Sequence, residues 1–232
     1  MSAKPFGDVV LELLMSRHRV DLSRFIAPKL ASRPLFEFIV GVVLSQNTSD
    51  RNAEIALREL YRRFNGLRPE VIAGAREEEV AEAVKPAGMH NRRAKVIKEL
   101  ARAFTNPNLE EEIATKVREL DVNGARELLK GLPGVGDKTA DVILLMYFRR
   151  PAFPVDTHIM RISIRLGITR KPDYHGVSKF WLNNTSSNNL LPLHLLLITH
   201  GRSVCKARKP RCSSCPLIRL CRFGEGVSGS LP

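Results

Sequence analysis

The sequence predicts an all-α protein, and three features of the 232-residue chain lead to that prediction. Apolar residues recur every three or four positions over long stretches, which is the spacing of one face of a helix. No stretch alternates apolar and polar residues for long enough to require a strand. The hydrophobic content of 44% is ordinary for a globular chain of one large domain or two small ones.

Three helices are predicted in the first half of the chain. Residues 35–48 are apolar nearly all round, which predicts a buried central helix. Residues 50–66 are amphipathic, with Asp50 as the expected N-cap and Gly66 as the expected stop. Residues 91–104 repeat the amphipathic pattern. The two apolar faces consist of Ala53, Leu57, Leu60 and Phe64 in the first helix, and of Ala94, Ile97, Ala101 and Phe104 in the second.

A glycine-rich turn joins two helical segments within residues 123–148. Gly134 and Gly136 flank Val135, where a tight hairpin needs backbone freedom that side chains would obstruct. Free backbone N–H groups at the start of the following helix attract phosphate. Because the chain is also strongly basic, this order predicts a helix-hairpin-helix that grips a DNA backbone. The residues expected to contact DNA there are Gly134, Val135, Gly136 and Thr139.

Lys138 and Asp156 are the candidate catalytic pair. Lys138 is predicted in the first turn of the helix after the hairpin, where a phosphate contact would be its simplest role. The positive end of that helix favours a neutral, nucleophilic amine. Asp156 is the expected N-cap of the next helix. A helix of residues 137–148 would run ~18 Å, and the seven connecting residues span up to ~23 Å, so the chain permits the two side chains to meet.

The C-terminal half contains a polar stretch, an apolar helix and a cysteine cluster. Residues 183–189, NNTSSNN, are expected to form an exposed loop without chemistry, and residues 194–205 a second buried helix. All four cysteines follow within seventeen positions, spaced C-x6-C-x2-C-x5-C. They are Cys205, Cys212, Cys215 and Cys221.

Four clustered thiolates suit a structural zinc or an iron–sulfur cluster, and two disulfides are the alternative. Only one tight C-x2-C pair is present, and the longer spacers favour a bulkier [4Fe–4S] cluster. Six basic residues surround the cysteines and are expected to offset cluster charge and to face phosphates. They are Lys206, Arg208, Lys209, Arg211, Arg219 and Arg222.

The net charge of +13 and the pI near 10.1 indicate a polyanionic partner, most simply a nucleic acid. A basic protein that is ribosome-associated or merely soluble is the alternative. Asp8 and Glu12 interrupt the N-terminal apolar run, so no signal peptide is expected. The longest apolar stretches are too short for a membrane span. We therefore expect a soluble, intracellular protein of the cytoplasm or nucleoid. As a separate expectation, the protein acts as a monomer.

Several motifs, in this order, resemble the endonuclease III group of helix-hairpin-helix DNA glycosylases. They are LSQNTSD, AGMHNRRAKVI, LPGVGDKTADVILL, VDTHIMRI, THGRSVC and the four-cysteine loop. The resemblance covers nearly the whole chain and implies two helical lobes around a DNA-binding cleft. Residues 28–150 would form the lobe with the hairpin, and 1–27 plus 151–232 the other lobe. That second lobe would carry a [4Fe–4S] cluster in the loop 205–221.

The same resemblance implies a bifunctional DNA glycosylase and AP lyase of base excision repair. Lys138 would attack C1′ of a nucleotide flipped out of the duplex, and Asp156 would stabilise the cationic sugar. The resulting Schiff base would lead to β-elimination and a strand break 3′ to the abasic site. Oxidised pyrimidines such as thymine glycol in double-stranded DNA are the implied substrates.

Gln46, Asn47 and Met89 lie at positions implied to fill the gap left by the flipped base. The alternatives are a satisfied polar helix end for Gln46 and Asn47, and core packing for Met89. The well-known bacterial pattern reads LSAQATD where this chain has LSQNTSD, so the wedge glutamine is displaced by one position or replaced by Asn47.

That departure leaves a uracil or thymine mismatch glycosylase as an alternative enzyme. The alternative of another class is a non-catalytic iron–sulfur DNA-binding protein. Such a protein would not need Lys138 and Asp156 together.

Overall fold

The protein, described here as a computed structural model over residues 4–224, is helical, and no strand occurs in that part of the chain. The prediction of an all-α fold is therefore confirmed. The chain divides into two compact units. One runs from Asp21 to Arg150, and the other combines the N-terminal segment up to Val20 with the chain from Pro151 onward. Among the described residues, no helix has both the length and the apolar character that a membrane crossing requires.

The unit from Asp21 to Arg150 is built from short and medium helices. In chain order, after α1 (Phe6–Met15) of the other unit, its helices are α2 (Ile26–Leu30), α3 (Leu35–Ser45), α4 (Asp50–Arg63), α5 (Pro69–Gly74), α6 (Glu77–Val84), α7 (His90–Ala103), α8 (Leu109–Glu119), α9 (Val122–Lys130) and α10 (Asp137–Val142). A π turn, Ile143–Tyr147, continues α10, and 3₁₀ turns lie at Leu22–Arg24 and Lys85–Ala87.

Helix α3 is the predicted buried helix of this unit. Nine of its eleven residues are buried. It ends at Ser45, earlier than predicted, because Gln46 is extended and Asn47 has a left-handed φ of 52°. Gly41 lies directly under the Leu30 side chain, where a Cβ atom would come within 2.2 Å of Leu30 Cδ1. Helix α2 therefore packs on α3 in this unit, which begins before the expected boundary at residue 28.

The cap of helix α4 lies one residue before the predicted one. The N-cap is Ser49, whose Oγ accepts the Asn52 N–H at 3.2 Å, so the prediction of Asp50 as N-cap is wrong. Asp50 Oδ1 instead accepts the Ile26 N–H at 3.4 Å and so contacts the start of α2. An N-cap needs a side-chain oxygen above the first turn, and both residues carry one. In the fold Ser49 caps α4, and the Asp50 carboxylate contacts α2.

The predicted apolar faces of α4 and α7 are turned inward. Ala53, Leu57 and Leu60 are buried and Phe64 is half-buried. All four residues predicted for the face of α7 are buried. Gly66 follows α4 as expected, and its N–H donates to Tyr61 O at 2.9 Å.

The second unit contains α1, α11 (Thr157–Leu166), α12 (Tyr174–Asn183) and α13 (Leu190–Ser203). Helix α13 starts four residues earlier than predicted, and most of it is buried as expected. The core of the unit includes Trp181, which stacks on Phe153 at a centroid distance of 5.9 Å. Trp181 Nε1 donates to Ser163 Oγ at 2.9 Å. Three 3₁₀ turns, Ser187–Asn189, Cys212–Ser214 and Ile218–Leu220, complete it.

The NNTSSNN stretch is more than the exposed loop that was predicted. Thr185 is 8% exposed. Asp8, at the start of α1, accepts the Ser186 N–H at 3.1 Å and the Asn189 amide at 3.0 Å. The Gly7 N–H donates to Asn184 O at 2.6 Å. The stretch therefore binds the first turn of α1, a contact between residues more than 170 positions apart that local polarity does not reveal.

Candidate DNA-binding hairpin, catalytic residues and cysteine loop

The predicted helix-hairpin-helix is present in the unit from Asp21 to Arg150. Helix α9 ends at Lys130, and α10 begins at Asp137 with Gly136 as its N-cap. Within the turn the Val135 N–H donates to Leu132 O at 3.1 Å. Val135 is buried, whereas Gly134 and Gly136 are exposed, so the turn anchors one side chain and presents glycine backbone outward. Such a backbone is suited to approach a phosphate closely.

Two ion pairs hold α9 and α10 together. Arg126 Nε lies 2.7 Å from Oδ1 of the fully buried Asp141, and Lys130 Nζ lies 2.9 Å from Asp137 Oδ1. Hydrogen bonds from Lys130 to Asp137 and to Glu127 raise the pKa of the Lys130 ammonium. Lys138 is the second residue of α10 and is half-buried. In the chain it lies between Asp137 and Asp141, the two carboxylates of these ion pairs.

Gln46 bonds to the hairpin. Its Nε2 donates to Gly134 O at 3.1 Å and to Oγ1 of the buried Thr139 at 3.2 Å. These contacts span about ninety positions of the chain. The end of α3 and the hairpin therefore form one connected surface. The side-chain amide of Gln46 is already hydrogen-bonded to the hairpin.

Arg93 is a residue of this surface that the sequence analysis missed. The residue is 4% exposed, and its guanidinium donates to the backbone carbonyls of Val43 and Gln46, to Gly88 O at 2.8 Å and to Ala87 O at 3.3 Å. Burial, together with the neighbouring Arg92, lowers the pKa of Arg93. Helical spacing was the available signal, because position 93 lies one turn before the predicted buried residue Ile97.

A groove of about 390 Å³ gathers most of the predicted DNA-contacting residues of this unit. Arg92 and Lys130 add positive charge to its walls, and neither was predicted. Met89 is 49% exposed and has a left-handed φ of 49°, so its alternative role in core packing does not apply. The predicted residues in the walls are Gln46, Asn47, Met89, Gly134, Val135 and Gly136.

Asp156 lies in the other unit and is the N-cap of α11, as expected. Its Oδ1 accepts the Ile159 N–H at 2.8 Å. Within its unit it borders a largely apolar groove of about 630 Å³. Met160 and Ile164 contribute to that wall, and Arg161 and Arg165 line it as well.

The four cysteines lie on one loop and are half-buried, with none paired in a disulfide. Arg165 Nη1 lies 3.2 Å from Cys205 Sγ and 2.7 Å from Lys206 O. Arg161 donates to Cys205 O at 2.8 Å and to Gly201 O at 3.0 Å. Helix α11 therefore holds the start of the loop through two arginines that the sequence analysis did not select. Among the described residues, no three His, Cys, Asp or Glu side chains are arranged to hold one metal ion.

The loop has the chemistry of a thiolate ligand set. Burial, joined by the neighbouring thiols, raises the pKa of Cys215 to about 11, and burial also raises the pKa of Cys221. Metal binding to such thiols is coupled to the release of their protons. The six surrounding basic residues are all exposed, where their charge can offset that of bound thiolates. Four unpaired, half-buried thiols on one anchored loop supply the type of donor that an iron–sulfur cluster requires, without being gathered around a single point in this structure.

The fold, the hairpin and the cysteine loop define a class of DNA repair protein, and sequence comparison agrees. The profile of the HhH-GPD superfamily base excision DNA repair proteins matches residues 40–183, more than half of the chain, which therefore belongs to this superfamily. Endonuclease III of Sulfolobus acidocaldarius is 37% identical over 213 residues, 90% of this chain and 92% of that protein. Endonuclease III of Bacillus subtilis is 36% identical over 191 residues, 82% of each chain.

Solved structures give the same result. A non-covalent endonuclease III–DNA complex has a TM-score of 0.75 at 28% identity, covering 97% of this chain and 95% of that one. A trapped covalent endonuclease III–DNA intermediate has a TM-score of 0.73 at 26% identity, covering 98% and 100%. The predictions of a helix-hairpin-helix glycosylase fold of the endonuclease III group, and of a glycosylase and AP lyase of base excision repair, are confirmed.

Proposed function

We propose that this repair enzyme removes oxidised pyrimidines of the thymine glycol type from duplex DNA, with Lys138 as its nucleophile. The observation that carries the proposal is the position of Lys138, one residue inside α10 and directly after the DNA-binding hairpin. An amine there distinguishes glycosylases that also cut the strand from relatives that only release the base. A covalent intermediate with DNA has been trapped for endonuclease III, and this supports a reaction in which a group of the protein bonds to the substrate.

In the proposed reaction, Lys138 Nζ forms a bond to C1′ as the glycosidic bond breaks and the base leaves with the bonding electrons. The carboxylate of Asp156 stabilises the positive charge that develops on the sugar. Loss of the amine proton and ring opening give a Schiff base, which makes the 2′ proton acidic. Removal of that proton breaks the C3′–O bond, so the strand is cut 3′ to the lesion.

Borohydride trapping on duplexes with thymine glycol, an abasic site or a G·T mismatch tests this function. Wild type is expected to form a covalent adduct on the thymine glycol duplex, and Lys138→Gln is expected to lose it while binding duplex DNA almost as well. Lys116→Gln is the control, because it removes an exposed amine of α8 outside the groove and should still form the adduct. Undiminished trapping by Lys138→Gln would exclude Lys138 as nucleophile.

A mismatch-specific glycosylase is the second candidate, and one observation favours keeping it. The Gln46 amide is engaged by the hairpin, which leaves the exposed, left-handed Asn47 as the residue available to fill the gap beside Met89. A different gap-filling side chain would alter preference for the opposite base. Adducts on abasic DNA but none on thymine glycol, with thymine release from G·T, would support this candidate.

We further propose that Cys205, Cys212, Cys215 and Cys221 hold a [4Fe–4S] cluster and that the enzyme acts on damaged duplex DNA as a monomer. The cluster supplies a rigid centre for the basic loop. Purified protein is expected to be yellow-brown with about four irons per chain, and Cys215→Ser should lose most of the iron. Ser214→Ala, one residue away, is the control and should retain it. Folded protein that contains zinc and no iron would contradict the cluster.

A further inference from the structure

We propose that Arg93 is a positioning residue that presets Asn47 and Met89 as a pair to fill the gap left by a flipped nucleotide. The inference rests on the proposed function, since it assigns that role to Asn47 and Met89. Arg93 itself is buried and binds the backbone carbonyls of the residues that precede them. It would therefore act through the backbone and not by touching DNA.

The contacts of Arg93 join two separate segments of the chain. One segment is the end of α3, where Val43 O and Gln46 O accept from its two terminal nitrogens. The other is the turn before α7, where Gly88 O accepts from Nε at 2.8 Å and Ala87 O from Nη2 at 3.3 Å. Gln46 directly precedes Asn47, and Gly88 directly precedes Met89.

The shape of the guanidinium makes this link rigid. Its N–H groups project from one plane in fixed directions, so the carbonyl groups that they bind are held at a fixed separation. A lysine ammonium has three donors on one atom and cannot span the same acceptors in the same way. The α3 carbonyls also lie at a helix C-terminus, where a positive charge is stabilised.

The two residues that follow the segments bound by Arg93, Asn47 and Met89, both have unfavourable backbone conformations. Asn47 has φ 52° and Met89 has φ 49°, in the left-handed region that non-glycine residues seldom adopt. Such conformations persist only where the surrounding structure holds them. Both residues line one groove, so a shift of either segment would change the distance between the two side chains.

A purely structural role for Arg93 is the competing explanation, and Lys98 is its control. Lys98 lies on the same helix, is 6% exposed and donates to the backbone carbonyls of Ala73 and Ala75, with Ala73 O at 3.2 Å. It is thus a second buried cation of α7 that binds a helix end. Its contacts end at α5 and do not involve Asn47 or Met89.

The test uses full-length, iron-loaded Arg93→Lys, Lys98→Met and wild type on a duplex with a tetrahydrofuran abasic analogue opposite 2-aminopurine. This duplex needs no catalysis, and its fluorescence reports how the gap is filled. Arg93→Lys is expected to lose most of the wild-type fluorescence change at saturating protein. Lys98→Met is expected to keep the wild-type fluorescence change, even if its thermal stability falls by as much as that of Arg93→Lys.

A second measurement compares single-turnover excision of thymine glycol opposite adenine and opposite the abasic analogue. Arg93→Lys should slow the paired substrate about tenfold more than the unpaired one, since gap filling matters most when a base pair must be broken. Lys98→Met should slow both equally. Equal fluorescence loss in both variants would overturn the positioning role. Wild type that fills the gap but excises nothing would refute the proposed substrate and leave this inference standing.

Discussion

Gly134 and Gly136 occupy equivalent-looking places in the sequence but face different physical constraints. Gly134 has φ +77°, and a Cβ atom there would lie 2.4 Å from Val96 Cγ1. Gly136 has φ −102°, which any residue adopts, and an added Cβ would meet nothing within 4 Å. Only Gly134 therefore requires glycine for the hairpin to approach α7.

Gly134→Ala is expected to destabilise the protein by about 1–3 kcal/mol, because the left-handed backbone and the clash with Val96 both oppose a methyl group. It should also weaken duplex binding through the displaced hairpin. Gly136→Ala is the control and should change the free energy of unfolding by less than about 0.5 kcal/mol. Urea denaturation and fluorescence anisotropy check both variants. Equal destabilisation would mean that the hairpin is not held against α7 as described.

At the scale of single elements, α1 is joined to its unit by a buried carboxylate. Asp8 is 5% exposed and accepts hydrogen bonds from Ser186 and Asn189. Burial alone would raise the pKa of Asp8, but these hydrogen bonds and the nearby Lys4 outweigh it and lower the pKa below its ordinary value. The ionised form is therefore favoured in the folded state.

Because its folded-state pKa is lowered, Asp8 contributes stability above its unfolded pKa of about 3.9, and that contribution is lost as pH falls through the folded value. Asp8→Asn is expected to lower the free energy of unfolding by about 1–3 kcal/mol at pH 7. The difference from wild type should shrink at about pH 3 and below. Urea denaturation across this range measures it.

Glu12→Gln, an exposed position on the same helix, is the control for Asp8→Asn and should have little effect at either pH. A pH-independent difference between wild type and Asp8→Asn would show that the carboxylate charge does not stabilise α1.

At the scale of the whole molecule, the excess of positive charge is the dominant electrostatic feature. The chain carries 37 lysines and arginines against 24 acidic residues. Six of these basic residues are exposed around the cysteines. Contacts between such residues and DNA phosphates release condensed counterions, so the free energy of binding depends on salt.

Affinity for an undamaged duplex is expected to fall about 100-fold or more between 50 and 200 mM salt. A fluorescence-anisotropy titration at several salt concentrations gives the slope of log K against log salt. Arg208→Gln should lower that slope by up to about one if the cysteine loop contacts a phosphate. Glu112→Gln, on α8, is the control and should leave the slope unchanged. Affinity that is independent of salt would exclude a phosphate-dominated interface.

The sequence by itself determined the features that depend on neighbours in the chain. Apolar spacing identified the buried faces of α4 and α7 and the buried helix α3, because side chains three and four positions apart share a helix face. The glycine turn between α9 and α10 and the clustered cysteines were evident because the residues that form each of them are close in the chain. The roles of Lys138 and Asp156 came from motif resemblance and stay proposals.

Only the tertiary structure decided which distant groups meet. Arg93 binds Val43 O fifty positions away, Gln46 reaches the hairpin across 88 positions, and Asp8 binds Ser186 across 178. Asp50, the predicted cap of α4, accepts the Ile26 N–H from 24 positions away, and Ser49 caps the helix. The physical reason is that buried polar groups must be paired, and a sequence shows that a group needs a partner without showing which remote atom packing will bring to it.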